Sequence, residues 1–201
     1  MMQTFAVKDG WPAARRRWTD RLPADVLTAL DEAVEFALLQ HGDQKRPAGE
    51  PYLEHLLEAT SVLVDAVGVT DADILRAAVL HDVVEDTDCT LDQVRERFGD
   101  RVATLVDWVT KPPRDEGVSR EQARAAYLER LRGAPDEAIL VKLADRLSNA
   151  QRLDTHPRRE KAGAYYDETV RSVLPLAEPH PWFRDWFAAW RIAFAGLGAT
   201  G

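Results

Sequence analysis

The stretch HDVVEDTD at residues 81–88 combines an imidazole and four carboxylates with apolar flanks. An apolar run, AAVL, precedes it and favours a buried helix. Residues four apart share one face of a helix, so an unbroken helix would pair His81 with Glu85 and Asp82 with Asp86. Carboxylates this close repel one another unless a cation neutralises them, and a divalent metal would do so. Taken alone, the motif is more typical of a solvated acidic helix end.

Two residues elsewhere in the chain favour a metal site over a solvated helix end. His55 interrupts the apolar run YLEHLLEA, and Asp145 interrupts ILVKLADRLSN. A single histidine there is typical of a hydrogen-bonded core residue, and a single aspartate of a buried partner to arginine. With His81 and Asp82, however, they supply two nitrogens and two carboxylates from three helices. This set without thiolate suits Mn²⁺, Fe²⁺ or Zn²⁺ and leaves positions open for water.

The elements that must position these residues are predicted to be helices. Apolar residues recur at three- and four-residue spacing in nearly every segment. Thr90 with Gln93 predicts a capping box, as does Ser119 with Gln122. Thr70 is expected to cap one continuous helix, DADILRAAVLHDVVED. The valine-rich SVLVDAVGV lacks two-residue alternation, which argues against a strand. We predict an all-α bundle of about eight or more helices around a single metal site.

Composition limits the function classes. The 201 residues include 34 acidic and 26 basic side chains, for a net charge of −8, which argues against general binding to nucleic acid or to a membrane surface. No apolar run approaches a membrane span, and the first residues lack the apolar core of a signal peptide. The single cysteine, Cys89, excludes an internal disulfide and fits a reducing compartment. We therefore expect a cytoplasmic protein.

The C-terminal region carries a stripe of tryptophans. Trp182, Trp186 and Trp190 follow one another at four-residue intervals, which places them on one helix face. Packing of this face against the bundle is the first interpretation. The alternative is a surface for a second copy of the chain in a homo-oligomer, because large apolar patches mark interfaces.

Several motifs together resemble a known family. AVEFALLQHGDQKR, GEPYLEH, AAVLHDVVEDTDCTLDQVRERFG, VDWVTK and LVKLADRLSNAQRL occur in one order over residues 27–153. They resemble the HD-domain metal phosphohydrolases and, more narrowly, the (p)ppGpp hydrolase domain of the RelA/SpoT family. The resemblance implies a single HD hydrolase domain over residues 1–201, with residues 154–201 as C-terminal helices packing on the core. The chain is too short for the family's synthetase and regulatory domains, so it resembles a stand-alone small alarmone hydrolase.

The resemblance also implies an activity and a set of roles. The reaction is hydrolysis of the 3′-pyrophosphate of guanosine tetra- or pentaphosphate to GDP or GTP and pyrophosphate. The metal, usually Mn²⁺, would be held by His55, His81, Asp82 and Asp145. Glu85 and Asp86 match the catalytic acidic pair, although both could instead tune the metal from outside its ligand shell. Arg46 matches the residue that packs on the base, and Asn149 one that lies against the nucleoside.

A polyphosphate substrate also needs cations. Lys45 lies beside Arg46, and Lys142 lies one turn before Asp145. We expect both lysines to contact phosphate; the alternatives are a polar surface loop for Lys45 and a solvent-facing helix position for Lys142. The chain departs from the usual family pattern at five positions, namely Pro47, Leu56, Ser148, Gln151 and Arg152.

All but Leu56 of these departures fall where the nucleotide should bind, so the choice between guanine and adenine stays open. Alternative substrates are ppApp-type nucleotides, NADPH and nucleoside phosphates. A non-catalytic module that only binds nucleotide is a further alternative.

Overall fold

The computed structural model describes residues 2–156 and 158–198, and these are predominantly helical. Within them there is no strand, and the backbones of Lys45 and Pro51 form one isolated bridge. The prediction of an all-α fold is therefore confirmed. None of the helices in the described ranges has the length and apolar character that a membrane span requires.

The α-helices follow one another through short connections, some of which are 3₁₀ or π turns. Their bounds are α1 Gly10–Trp18, α2 Ala24–His41, α3 Tyr52–Ser61, α4 Ala72–Leu80, α5 Val83–Asp86, α6 Leu91–Phe98, α7 Asp100–Val109, α8 Arg120–Arg130, α9 Asp136–Ala150, α10 Arg159–Glu168, α11 Leu174–Ala177 and α12 Pro181–Ala193.

The expected single helix over residues 71–86 is wrong in two respects. It is divided into α4 and α5 by a turn at His81 and Asp82. Its cap is Asp71, whose carboxylate accepts hydrogen bonds from the backbone N–H groups of Asp73 and Ile74, and not Thr70. Aspartate is preferred over threonine as an N-cap, because its carboxylate accepts hydrogen bonds from the free backbone N–H groups of the first turn.

Two other local predictions are confirmed. The side-chain and backbone bonds of both capping boxes are present, at the starts of α6 and α8. The valine-rich segment is helical, because α3 continues into a π-helical turn, Val62–Val67. That turn ends at Gly68, whose φ of 78° is a left-handed conformation that glycine adopts without a steric penalty.

The centre of the fold brings the motif-bearing helices together. Helix α3 packs against α4 and α9, α2 packs against α4, and α7 packs against both α4 and α9. Fully buried leucines supply the contacts, among them Leu30, Leu57, Leu75 and Leu143. Each buried side chain of this size stabilises the fold by about 1.5–3 kcal/mol. Three helices that are distant in sequence are thereby fixed side by side.

The C-terminal helix packs on this core, which confirms the first interpretation of its tryptophans. Trp186 and Trp190 are buried, and Trp182 is partly buried against the same core. The indole N–H of Trp190 donates to the carbonyl of Ala150 over 2.9 Å, and that of Trp186 donates to the carbonyl of Gln3 over 2.7 Å. A homo-oligomer and the proposed domain boundaries stay predictions.

Candidate metal centre and active site

The four predicted ligands lie close together at the centre of the fold. His55 Nε2 lies 3.0 Å from His81 Nε2 and 3.3 Å from Asp82 Oδ2. Asp145 Oδ1 lies 3.4 Å from His55 Nε2 and 3.6 Å from His81 Nε2. Nitrogen and oxygen ligands about 2.0–2.2 Å from one ion are roughly 2.8–3.6 Å from their neighbours at octahedral to tetrahedral angles. His55, His81 and Asp82 have the spacings of ligands around a single ion, and Asp145 lies within 3.6 Å of both histidines.

The turn after α4 makes this convergence possible. Neighbouring residues of a regular helix point about 100° apart, since one turn contains 3.6 residues. His81 keeps helical angles, whereas Asp82 has φ −105° and ψ −3°, in the sparsely occupied bridge region. As a result, Asp82 Oδ2 lies 3.2 Å from His81 Nε2. The departure from helical geometry thus turns two adjacent side chains toward the same point.

The hydrogen bonds of the two histidines show that the cluster suits a cation. His81 Nδ1 lies 2.8 Å from the carbonyl of Ala78 and must donate to it. His55 Nδ1 lies 2.9 Å from Ser148 Oγ, and that hydroxyl in turn donates to Glu58. In the neutral rings, both Nε2 atoms therefore carry lone pairs, which face each other at 3.0 Å. Two acceptors this close need a proton or a metal ion between them.

The charges of the cluster lead to the same conclusion. Burial alone would lower the pKa of His81, but the carboxylates of Asp82 and Asp145 raise it well above its ordinary value. Burial alone would raise the pKa of Asp82, but His81 and His55 hold it well below its ordinary value. The cluster thus attracts a positive charge, and the chemistry of its donors fits a divalent metal ion.

Lys142 and Asn149 both contact Asp145. The ammonium of Lys142 lies 2.8 Å from Asp145 Oδ2, and the amide of Asn149 donates to Asp145 Oδ1 over 2.7 Å. Lys142 is only 5% exposed, so the solvent-facing alternative is wrong. The helix carries this position inward, next to Asp145, because α9 is buried on most of its circumference. A contact of Lys142 with phosphate stays a prediction.

Glu85 and Asp86, the predicted catalytic pair, have different partners. Glu85 forms an ion pair with the ammonium of Lys111 and accepts the backbone N–H of the same residue over 3.2 Å. Asp86 is exposed, and its Oδ2 lies 2.7 Å from the hydroxyl of Tyr52. Asp86 keeps the expected relation to Asp82, because its backbone N–H donates to the Asp82 carbonyl over 2.9 Å. Glu85 instead contacts Lys111.

Tyr52 is a site residue that the sequence reasoning missed. Its hydroxyl lies 2.5 Å from Asp82 Oδ2 as well as 2.7 Å from Asp86 Oδ2. Burial and the two carboxylates raise the pKa of Tyr52, so it stays a donor. One proton can serve only one carboxylate at a time. Tyr52 therefore links a predicted metal ligand to a predicted catalytic acid.

Glu58 and Lys111 were missed as well. Both lie inside or beside segments that the family resemblance covers, so their presence alone gave no sign of a role. The one available signal was a charge three residues after His55 in an otherwise apolar run, because that spacing places Glu58 on the same face as His55. For Lys111 the sequence offered no signal beyond its charge.

A cavity adjoins the metal cluster on the side of the predicted nucleotide residues. It measures about 120 Å³ and is lined by Arg46, Asn149 and Arg152, among others. A wider cleft of about 630 Å³ shares Asn149 with it and reaches Lys161 and Arg171. Together they have the size of a small-molecule site. Lys45 is exposed on the bridge with Pro51.

Comparison with known proteins gives relatives of this site and fold. The HD domain profile matches residues 33–181. A guanosine-3′,5′-bis(diphosphate) 3′-pyrophosphohydrolase of Aquifex aeolicus is 40% identical over 148 residues, which are 74% of this chain and 21% of the relative. The human guanosine-3′,5′-bis(diphosphate) 3′-pyrophosphohydrolase MESH1 is 40% identical over 127 residues, which are 62% of this chain and 69% of MESH1.

One solved structure is similar over most of its length. It is described as a metazoan ortholog of SpoT that hydrolyzes ppGpp and plays a role in starvation responses. Its TM-score is 0.74 at 28% identity, and the match covers 84% of this chain and 96% of that one. This chain spans only about a fifth of the length of the Aquifex relative. On the profile match and the human relative, the chain belongs to the HD-domain family.

Proposed function

We propose that this protein hydrolyses the 3′-pyrophosphate of guanosine tetra- or pentaphosphate in a Mn²⁺-dependent reaction, releasing pyrophosphate and GDP or GTP. The observation that carries the proposal is the grouping of His55, His81 and Asp82 within 3.0–3.3 Å, with Asp145 within 3.6 Å of both histidines. A cavity reaches this cluster through Ser148 and Asn149, which contact His55 and Asp145. The named activities of the Aquifex and human relatives support the choice of substrate.

His55, His81, Asp82 and Asp145 would hold the ion. A divalent metal in such a site polarises a phosphate oxygen and makes water a nucleophile near neutral pH. Mn²⁺ is proposed because the family that the motifs resemble usually uses it; the same nitrogen and oxygen donors also suit Fe²⁺ and Zn²⁺. Lys142 and Asn149 position Asp145 for this task, through their contacts with its two carboxylate oxygens.

Glu85 is proposed to accept the proton of the attacking water. A carboxylate in an ion pair is an acceptor, and Lys111 orients it through both its ammonium and its backbone N–H. Asp86 is proposed to orient the water or its partner, together with the hydroxyl of Tyr52. These roles need a fixed arrangement of the groups, which the ion pair and the tyrosine hydrogen bond supply.

Arg46 and Asn149 are proposed to bind the nucleoside, because both line the cavity beside the metal cluster. The flat guanidinium of Arg46 can stack on a purine, which an ammonium cannot do. Lys45 is proposed to meet phosphate from the exposed loop, and Lys142 to add positive charge near the phosphate side. The proposed substrate is a small nucleotide. The protein itself is proposed to be cytoplasmic and to have no nucleic-acid partner.

The test is a panel of nucleotides incubated with purified protein and Mn²⁺. We expect ppGpp to yield GDP and pyrophosphate in equal amounts, detected by chromatography. Release of orthophosphate alone would contradict the proposal. Guanine and adenine alarmones, NADPH and simple nucleoside phosphates are assayed side by side. Equal rates on the simple phosphates would indicate a generic phosphohydrolase, and tight binding without turnover a non-catalytic module.

A further inference from the structure

Glu58 is a buried carboxylate with an unusual number of donors. Its side chain is 1% exposed and lies on α3, one turn after His55. Oε2 accepts from Arg46 Nη1 over 2.9 Å, from Ser148 Oγ over 2.7 Å and from Gln151 Nε2 over 3.1 Å. Oε1 accepts from Arg152 Nη2 over 2.5 Å. These contacts fully compensate a charge that would be costly to bury alone.

The contacts of Glu58 extend in two directions. Through the hydroxyl of Ser148 they reach His55 Nδ1, 2.9 Å from Ser148 Oγ, on the metal side. Through Arg46 and Arg152 they reach the cavity, which both arginines line. One carboxylate thus connects the ring of a predicted metal ligand to two guanidinium groups on the nucleotide side.

The partners of Glu58 include three positions at which this chain departs from the usual family pattern. The same carboxylate accepts hydrogen bonds from Ser148, Gln151 and Arg152. These three residues lie at the end of α9 and in the turn that follows it. The departures therefore act as one unit. Arg152 also adds a cation beside Arg46, where Pro47 removes the second basic residue expected from the family.

We propose that Glu58 is a positioning residue that orients His55 for the metal through Ser148 and orients Arg46 and Arg152 for the nucleotide. The role of Glu58 toward Arg46 and Arg152 rests on the proposed function, whereas its role toward His55 does not. By accepting from Ser148, Glu58 leaves the serine oxygen free to accept the His55 Nδ1 proton, which keeps the Nε2 lone pair directed at the ion. By accepting from both arginines, it holds both guanidinium groups at the cavity.

The test separates the two halves with single variants. Mn²⁺ affinity is measured without nucleotide, by competition with a fluorescent chelator. GDP affinity is measured by calorimetry on protein treated with EDTA. We expect Ser148→Ala to weaken Mn²⁺ binding about 10–100-fold, as loss of an outer partner does, and to weaken GDP binding much less than Arg152→Ala does, because Ser148 lines the cavity but carries no charge. We expect Arg152→Ala to weaken GDP binding about tenfold or more and to leave Mn²⁺ binding unchanged.

Glu58→Gln should weaken both Mn²⁺ and GDP binding. Ser148→Thr keeps the hydroxyl that Ser148→Ala loses, so it should bind Mn²⁺ more tightly than Ser148→Ala. If Glu58→Gln does not fold, the two flanking variants and the threonine variant still decide the question. Wild-type Mn²⁺ affinity in Ser148→Ala would overturn the proposal. So would a loss of both affinities in Ser148→Ala and in Arg152→Ala alike, because that pattern indicates general damage. The Mn²⁺ measurements hold even if ppGpp is not the substrate.

Discussion

Two buried polar clusters contact α9 at adjacent residues, Asp145 and Arg146. On one side, Asp145 joins His55, His81 and Asp82, and two lone pairs face each other at 3.0 Å. On the other side, Arg146 lies among groups that complement it. Its two terminal nitrogens donate to Glu168 over 2.7 Å and to Thr169 over 3.2 Å, and its guanidinium lies 4.2 Å from the Tyr165 ring centre.

The two clusters differ in how their charges are balanced. Glu168 accepts from Arg124 as well as Arg146, so acceptors and donors match within the protein. In the first cluster, Lys142 meets one oxygen of Asp145, but the imidazole nitrogens and Asp82 still point at one another. A cluster that the protein completes itself stabilises the fold. A cluster that is complete only with an added cation marks a binding site.

The largest expected effect concerns the first cluster. Asp82→Ala should abolish Mn²⁺ binding and reduce turnover of ppGpp by at least about a thousandfold, because several kcal/mol of transition-state stabilisation come from a metal. Metal content is measured by mass spectrometry and turnover by release of pyrophosphate. Asp88→Ala, an exposed carboxylate of the same segment, is the matched control and should change neither. Retained metal and turnover in Asp82→Ala would contradict the mechanism.

Substitutions in the second cluster, around Arg146 and Glu168, should lower the stability of the fold. Glu168→Gln leaves Arg146, which is nearly fully buried, without its charged partner and should lower the free energy of unfolding by about 3–5 kcal/mol. Glu129→Gln is the control, because it breaks an exposed ion pair with Arg132 and should cost no more than about 1 kcal/mol. Urea denaturation of metal-free protein measures both. Equal losses would show that the second cluster does not stabilise the fold as inferred.

Adding the metal sharpens the comparison. Mn²⁺ at about 100 times its dissociation constant should stabilise the native protein by about 2.7 kcal/mol. For a chain of this length that raises the melting temperature by roughly 5–10 °C. Mn²⁺ should stabilise the Glu168→Gln variant as much as the wild-type protein, whereas it should not stabilise the Asp82→Ala variant. Differential scanning calorimetry with and without Mn²⁺ checks this, and an equal gain in Asp82→Ala would place the ion elsewhere.

The smallest expected effect is in the acid range. Burial alone would raise the pKa of Glu168, but hydrogen bonds from Arg124 and Arg146 lower it to about 2, from an ordinary value of 4.5. A lowered pKa contributes stability that is complete above 4.5 and is lost as the pH falls through 2. The difference in unfolding free energy between the native protein and Glu168→Gln should therefore shrink over this interval. A constant difference in urea titrations would contradict the ion pair.

Local pattern was enough for much of the fold. The three- and four-residue spacing of apolar side chains predicted an all-α chain, and the capping boxes at Thr90 and Ser119 predicted two helix starts. Local pattern could not locate the turn at His81 and Asp82, because every residue around it is compatible with helix. At that turn His81 and Asp82 meet His55 of another helix, and a periodicity argument does not include such contacts.

The partners of charged residues were the hardest to predict. The sequence allowed a solvent-facing position for Lys142, yet its side chain is buried against Asp145. Glu58 and Arg46 are 12 positions apart, and Glu58 and Arg152 are 94 positions apart, so no local rule joins them. Electrostatic energy depends on distance in space and on burial, and neither can be deduced from order along the chain.

By itself the sequence determined the helical class and the residue types that suit a divalent metal. Helix periodicity and ligand chemistry are properties of short segments and of side chains, so they can be deduced before folding. Only the tertiary structure decided that His55, His81 and Asp145, which are far apart in sequence, lie side by side. It also decided that Glu58 lies between the metal side and the nucleotide side. These facts follow from the packing of α3, α4 and α9, because burial of their apolar faces fixes which polar side chains meet.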